Sequence, residues 1–94
     1  MKLHWLAQTD SDLAQVAGHV ATDNPIAADA LERRIITLAC NLVRFPDAGR
    51  PGRVVRTREL IVPEHPYIIV YQARKDDILV LRILHASRQW PTAD

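Results

Sequence analysis

Hydrophobic residues change their period twice along this chain, and each change predicts a different element. Lys2–Ala7 alternates, with Leu3, Trp5 and Ala7 on one side, which predicts a short first strand. The period then lengthens: Leu13, Val16, Ala17 and Val20 recur at i, i+3, i+4 and i+7, one face of a helix. Thr9-x-x-Asp12 resembles a capping box with Asp in place of the usual Glu or Gln, so this helix is expected to open at Thr9. Gly18 either weakens it, by up to about 1 kcal/mol relative to alanine, or permits a close helix–helix approach. Asn24-Pro25 stops the first helix and starts the second, because Asn caps well and Pro is tolerated where the first N–H has no partner. Leu31, Ile35, Leu38, Leu42 and Phe45 continue as a single stripe that Pro46 ends, and Asp29 and Arg33 stand i, i+4 on a more polar side. Helices joined this closely form an antiparallel hairpin.

After the loop Asp47–Arg53, which carries two glycines and a proline, the pattern turns to strands. Arg58–Val62, Tyr67–Ala73 and Ile78–Leu84 are rich in β-branched and aromatic residues, and are separated by Pro63 and by the polar turn Arg74-Lys75-Asp76-Asp77. Connections this short allow only antiparallel neighbours, so the runs form a meander. The expected architecture is α+β: an N-terminal strand and a two-helix hairpin packed on an antiparallel β-meander, two layers around one core. In an unbroken third strand His85 shares a face with Leu79, Leu81 and Ile83, and Arg82 with Val80 and Leu84; a bulge near the end is needed to unite them. Arg58 and Glu59 likewise point to opposite faces. Tyr67 and Tyr71 share one face of the middle strand, which suits packing with a hydrogen-bonded hydroxyl.

Ninety-four residues make one domain, 1–94, near the lower end of what folds alone on a single core. No apolar run approaches the roughly 20 residues of a membrane span, and MKLHWLAQTDSD lacks the apolar centre of a secretory signal. A single cysteine, Cys40, builds no disulfide framework and reads as a small packing residue. These features lead to the expectation of a cytoplasmic protein with no membrane partner. The net charge of +1 predicts no nucleic-acid partner by itself, but its distribution is uneven. Residues 1–43 carry three basic and five acidic side chains, and residues 44–94 carry nine and six. Arg44, Arg50, Arg53, Arg56 and Arg58 fall in one short window opposed there only by Asp47, a patch suited to phosphate or carboxylate, or else an ordinary solvated loop.

His4, His19, His65 and His85 show no paired spacing, so no metal is expected, and the three glycines match no dinucleotide or phosphate loop, so no cofactor is expected either. Acid–base cleavage of RNA needs a base, an acid and cations at the phosphate. Glu59 or His85 is the candidate base, and Arg58, Arg82 or Arg88 the candidate cation. Each has a plainer reading: Glu59 in an ion pair with a neighbouring arginine, His85 as a structural histidine bonding the backbone near the strand end. Trp90 is either a stacking platform or a cap on the core.

Several short stretches in this order resemble one family. They are Asp12-Leu13, Asn24-Pro25 with Ala27-Ala28, Phe45-Pro46 followed by Gly49-Arg50, Thr57-Arg58-Glu59-Leu60, Pro66–Tyr71, and Leu84-His85-Ala86-x-Arg88. Together they resemble the RelE/ParE superfamily of toxins from bacterial type II toxin–antitoxin modules, over nearly the whole chain. The resemblance implies a cognate antitoxin partner, met by Arg50, Arg53 and Arg56, with operator DNA bound only through that antitoxin. It also implies one of two targets. ParE-like members inhibit DNA gyrase, for which Arg58, Arg82, His85, Arg88 and Trp90 are the target-binding candidates. RelE-like members cut messenger RNA in the ribosome, for which Arg82, His85, Arg88 and Glu59 are the catalytic candidates. The ending His85-Ala86-Ser87-Arg88-Gln89-Trp90 lacks a terminal tyrosine and is more similar to ParE-like chains.

Overall fold

The first alternating segment forms β1 (Lys2–Trp5), with Leu3 and Trp5 turned inward. The structure is a computed structural model, and it describes residues 1–87 with Trp90 and Pro91. Helix α1 (Ala7–Ala21) follows at once, so Ala7 belongs to the helix rather than to the strand. Its N-cap is Leu6, not Thr9. Thr9 lies in the first turn and donates its hydroxyl to the Leu6 carbonyl at 2.5 Å. The expected capping box does not form because the Asp12 carboxylate is drawn to the sheet.

Helix α2 (Pro25–Asn41) begins as the sequence predicts, with Asn24 Oδ1 accepting from the Ala27 N–H at 3.1 Å. Leu31, Ile35, Ala39 and Leu42 are buried along its inner face. The stripe stops there: Phe45 is 59% exposed, because α2 ends at Asn41 and the chain leaves the helical path in the turns that follow. Cys40 is exposed on the outer side rather than packed. Asp29 and Arg33 pair at 2.9 Å on the outer surface.

The sheet has five strands in the order β1-β5-β4-β3-β2, formed with β2 (Arg50–Pro51), β3 (Arg58–Ile61), β4 (Tyr67–Ala73) and β5 (Asp77–His85). β2 to β5 are antiparallel neighbours. The chain returns through the helical hairpin, so β1 pairs in parallel with β5, from Lys2↔Asp77 to Trp5↔Val80. The loop expected at Asp47–Arg53 thus contains a two-residue strand.

Central strand β4 is buried from Tyr67 to Tyr71 without a break, on both faces. On the helix side Tyr67, Ile69, Val80 and Ile83 meet Val16, Leu31, Ile35 and Ala39. On the far side a smaller patch of Ile68, Val70 and Leu84 is covered by Leu81 and Trp90. Trp90 therefore caps the core from the face away from the helices. Tyr71 is fully buried, and its hydroxyl donates to the Pro46 carbonyl at 2.7 Å and accepts from the Gly49 N–H at 2.8 Å. Gly49 leaves room for that ring, since a Cβ there would lie 2.8 Å from a ring carbon.

Replacing Tyr71 with Phe leaves both loop groups without their partner. The expected cost is about 2 kcal/mol, readable by urea denaturation. Beyond the backbone of its own helix and its two neighbours, nothing lies within 4 Å of where a Cβ at Gly18 would sit, so close helix approach does not require that glycine. Gly18→Ala is expected to raise stability by about 0.5–1 kcal/mol in the same assay.

Candidate functional site

Parallel pairing with β1 ends at Val80, and the next stretch of β5 has an open side. A β-bulge falls at the same place: Tyr71 pairs with Val80 and Val70 with Arg82, leaving Leu81 as the extra residue. The bulge overturns the expected parity. His85 shares the helix face with Ile78, Val80 and Ile83, while Arg82 lies in one cross-strand row with Val70 and Glu59 on the opposite face. Because the extra residue precedes both Arg82 and His85, it does not bring those two together.

Asp12 fills the open side. Its carboxylate accepts two bonds from the Arg82 guanidinium, 2.9 and 3.1 Å, and one from the Ile83 backbone N–H at 3.0 Å. The side chain is 1% exposed and that of Arg82 17%. Burial alone would raise the Asp12 pKa, but the bonds from Arg82, Ile83 and Gln8 outweigh it and hold the carboxyl below its ordinary value. The same contact holds the Arg82 guanidinium above its ordinary value. Arg82 also stands 6.0 Å from the centre of the Trp90 ring, so one arginine joins α1, the edge of β5 and the far-side cap.

Glu59 is buried too, and it organises the basic loop. Arg50 approaches its Oε1 at 3.4 Å; the Arg53 backbone N–H donates to Oε2 at 3.0 Å, with the Arg53 Nε 3.6 Å away. Arg53 also donates to the Ala86 carbonyl at 3.4 Å, tying this loop to the end of β5. Arg58 points to the helix side, where it donates to the Gly49 carbonyl at 2.7 Å and lies 3.3 Å from Asp47.

His85 is exposed at the end of β5, its ring edge-on to Tyr67 with centroids 5.5 Å apart. Its Nδ1 accepts from the Ser87 backbone N–H at 3.2 Å. The same nitrogen lies 2.7 Å from the Ser87 hydroxyl, so Ser87 occupies that side of the ring. With Gln15, Val16, His19 and Asp12, His85 lines a small cavity of about 210 Å³. The candidates for acid–base chemistry are thus divided: Arg82 and Glu59 on one face, already ion-paired, and His85 on the other. Arg88 lies outside the described residues. Trp90 buries its indole N–H, which has no hydrogen-bond partner among the described residues.

Arg56 also belongs to the basic loop, beside an open cleft of about 610 Å³ between the start of β3 and the end of β4. Gln72 and Arg74 on its wall were not singled out by the sequence, because only the β3–β4 register brings them beside Arg56. Asp12 was equally hidden as a sheet contact. Its one signal is an acidic residue beside the apolar positions Leu13 and Val16 of α1. Among the described residues, no three His, Cys, Asp or Glu side chains are gathered to hold a metal ion, and no helix is long and apolar enough to cross a membrane.

A five-stranded mixed sheet with a helical hairpin on one face is the fold of the RelE/ParE superfamily toxins. A structure titled "Chromosomal ParDE TA system from P. aeruginosa" superposes with a TM-score of 0.80 at 27% identity, covering 90% of this chain and 95% of that one. The sequence model described as "ParE toxin of type II toxin-antitoxin system, parDE" matches residues 3–90, and the chain belongs to that family. Among curated relatives, a Sinorhizobium fredii protein named "Putative toxin Y4kP" is 36% identical over 96% of this chain and 93% of its own length. "Toxin RelE2" of Caulobacter vibrioides is 29% identical over 89% of this chain and 93% of its own.

The Asp12 clamp generates a pH prediction. A carboxyl whose folded pKa is depressed contributes stability above its unfolded value, about 3.9, and loses it as pH falls through the folded pKa. Unfolding free energy measured in urea should therefore drop as pH is lowered through that range. Asp12→Asn should be less stable by about 3 kcal/mol near neutral pH and show a shallower decline in acid. An unchanged acid profile contradicts the clamp.

Proposed function

We propose that this type II toxin acts on DNA gyrase, interfering with replication, and is held inactive by a cognate antitoxin. The observation that carries the reading is the closure of Arg82 on Asp12. The cation best placed to steady a scissile phosphate is occupied within the fold, and the candidate base Glu59 is occupied in the same way by Arg50 and Arg53. A surface whose charges are neutralised internally is suited to recognition rather than to acid–base chemistry. Membership of the ParE family supports the same branch.

In this reading the end of β5 is the surface offered to the target. His85 and Arg88 are the contacts, Trp90 the apolar element, and Arg82 holds Trp90 in place. Arg58 contributes from the start of β3. Arg50, Arg53 and Arg56 face the antitoxin, which also supplies any operator-DNA binding, and the toxin works in the cytoplasm. The alternative, ribosome-dependent messenger cleavage by Glu59, Arg82, His85 and Arg88, is supported by the likeness to the protein named Toxin RelE2.

The two targets separate in paired assays. Purified toxin should inhibit gyrase supercoiling or trap cleaved DNA, and primer extension on translated messages after induction should show no new cuts. Cuts within codons, with gyrase unaffected, would overturn the proposal in favour of the ribosome. Normal growth on expression without antitoxin would count against both targets.

A further inference from the structure

The arginines around the β2–β3 loop differ in what they already hold. Arg50 and Arg53 converge on buried Glu59, and Arg58 is committed to Asp47 and the Gly49 carbonyl. Arg74 grips Asp77 through two bonds of 2.7 and 2.8 Å. Among the described residues Arg56 has no hydrogen bond or ion pair. It lines the open cleft with Thr57, Arg58, Gln72 and Arg74, and among the described residues no acidic side chain lines that cleft.

The backbone at Arg56 is unusual. Its φ is 69°, the left-handed region that glycine enters freely and a residue with a Cβ enters at a cost. The loop holds it there. The Thr57 N–H and hydroxyl both donate to the Val54 carbonyl, at 3.1 and 2.6 Å, and the Gly52 N–H donates to the Thr57 carbonyl at 2.8 Å. A Cβ at Gly52 would collide with Thr57 Oγ1, so the turn depends on that glycine. Three hydrogen bonds thus hold in place a strained position that carries a long cationic side chain, and such strain is a pointer to use of the side chain.

Charge selects the ligand. Arg58 and Arg74 are compensated, which leaves Arg56 as the free guanidinium of the cleft among the described residues. A nucleic-acid strand carries closely spaced phosphates and draws its affinity from several free cations. One forked guanidinium matches one carboxylate. The Gln72 carboxamide, also without a partner among the described residues, supplies a second donor. Val55, next to Arg56, is 81% exposed and offers an apolar contact beside the charge.

We propose that this cleft binds one Asp or Glu side chain of an extended acidic protein segment. Arg56 is the anchor, Gln72 the second donor, and Val55 meets an apolar residue beside the carboxylate. That the segment belongs to the antitoxin rests on the function proposed above; the carboxylate chemistry does not.

The test is an NMR titration of the isotope-labelled full chain with a blocked synthetic peptide alternating glutamate and leucine. Its glutamine counterpart and a short oligothymidylate are the comparisons. The glutamate peptide should give saturable shifts at the amides of 55–58, the Gln72 side chain and the Arg56 Nε–H, and the glutamine peptide should not. Arg56→Gln should weaken binding about tenfold. Arg56→Gly removes the guanidinium and relieves the backbone, so it should keep the parent amide spectrum and bind equally weakly. Unchanged affinity in both variants would overturn the proposal. So would oligothymidylate displacing the peptide from the same signals, which would make the cleft a nucleic-acid site. Because the probe is synthetic, the outcomes separate: a toxin neutralised by its antitoxin that ignores this peptide retires the cleft alone. Peptide binding in a chain that no antitoxin neutralises keeps the cleft and retires the antitoxin reading.

Discussion

A buried carboxylate at the end of a broken strand pairing is the constraint on which the rest of this fold depends. β1 stops at Trp5, β5 bulges at Leu81, and the next outward N–H of β5, that of Ile83, would be left unpaired inside the protein. Asp12 accepts it from the first helix and closes on Arg82 with the same carboxylate. A buried acid without its cation would be costly, and a sheet edge without Asp12 would lack an acceptor. Helix and strand end are therefore set by one cluster, and Trp90, packed on Ile68, Val70 and Leu84 of the far face, lies 6.0 Å from the same guanidinium.

The same economy of charge runs through the basic loop. A patch of five arginines looks like a nucleic-acid surface when counted along the chain. Folded, two of them converge on Glu59 and a third is held by Asp47, while Arg44 lies over the exposed ring of Phe45. Among the described residues of this loop and strand end, what remains to be offered to a partner is narrow: the Arg56 guanidinium on a constrained turn, and the end of β5 around His85. The proposed recognition of a protein target, rather than cleavage of a phosphodiester, rests on this arrangement.

How far the chain could be read depended on whether the cause was local. The start of α2 was legible because Asn24 and Pro25 act on their own turn, and the meander because its connections are too short for anything else. The start of α1 was not, since Asp12 answers to Arg82, far along the chain, rather than to the helix end. The parallel pairing of β1 had no local signal, and neither had the bulge at Leu81, which reversed the face assigned to His85 relative to the first half of β5. At the site, the sequence showed that Glu59 had arginine neighbours. It could not show which arginine stays unpaired, because that is decided by distances across the loop.

The clamp between Asp12 and Arg82 is tested most directly by a double-mutant cycle in urea denaturation with Asp12→Asn, Arg82→Gln and the pair together. A coupling free energy of about 2 kcal/mol is expected, the double variant losing much less than the sum of the single ones. Additive losses, with coupling near zero, would contradict it and would return Arg82 to the groups free to act on a target.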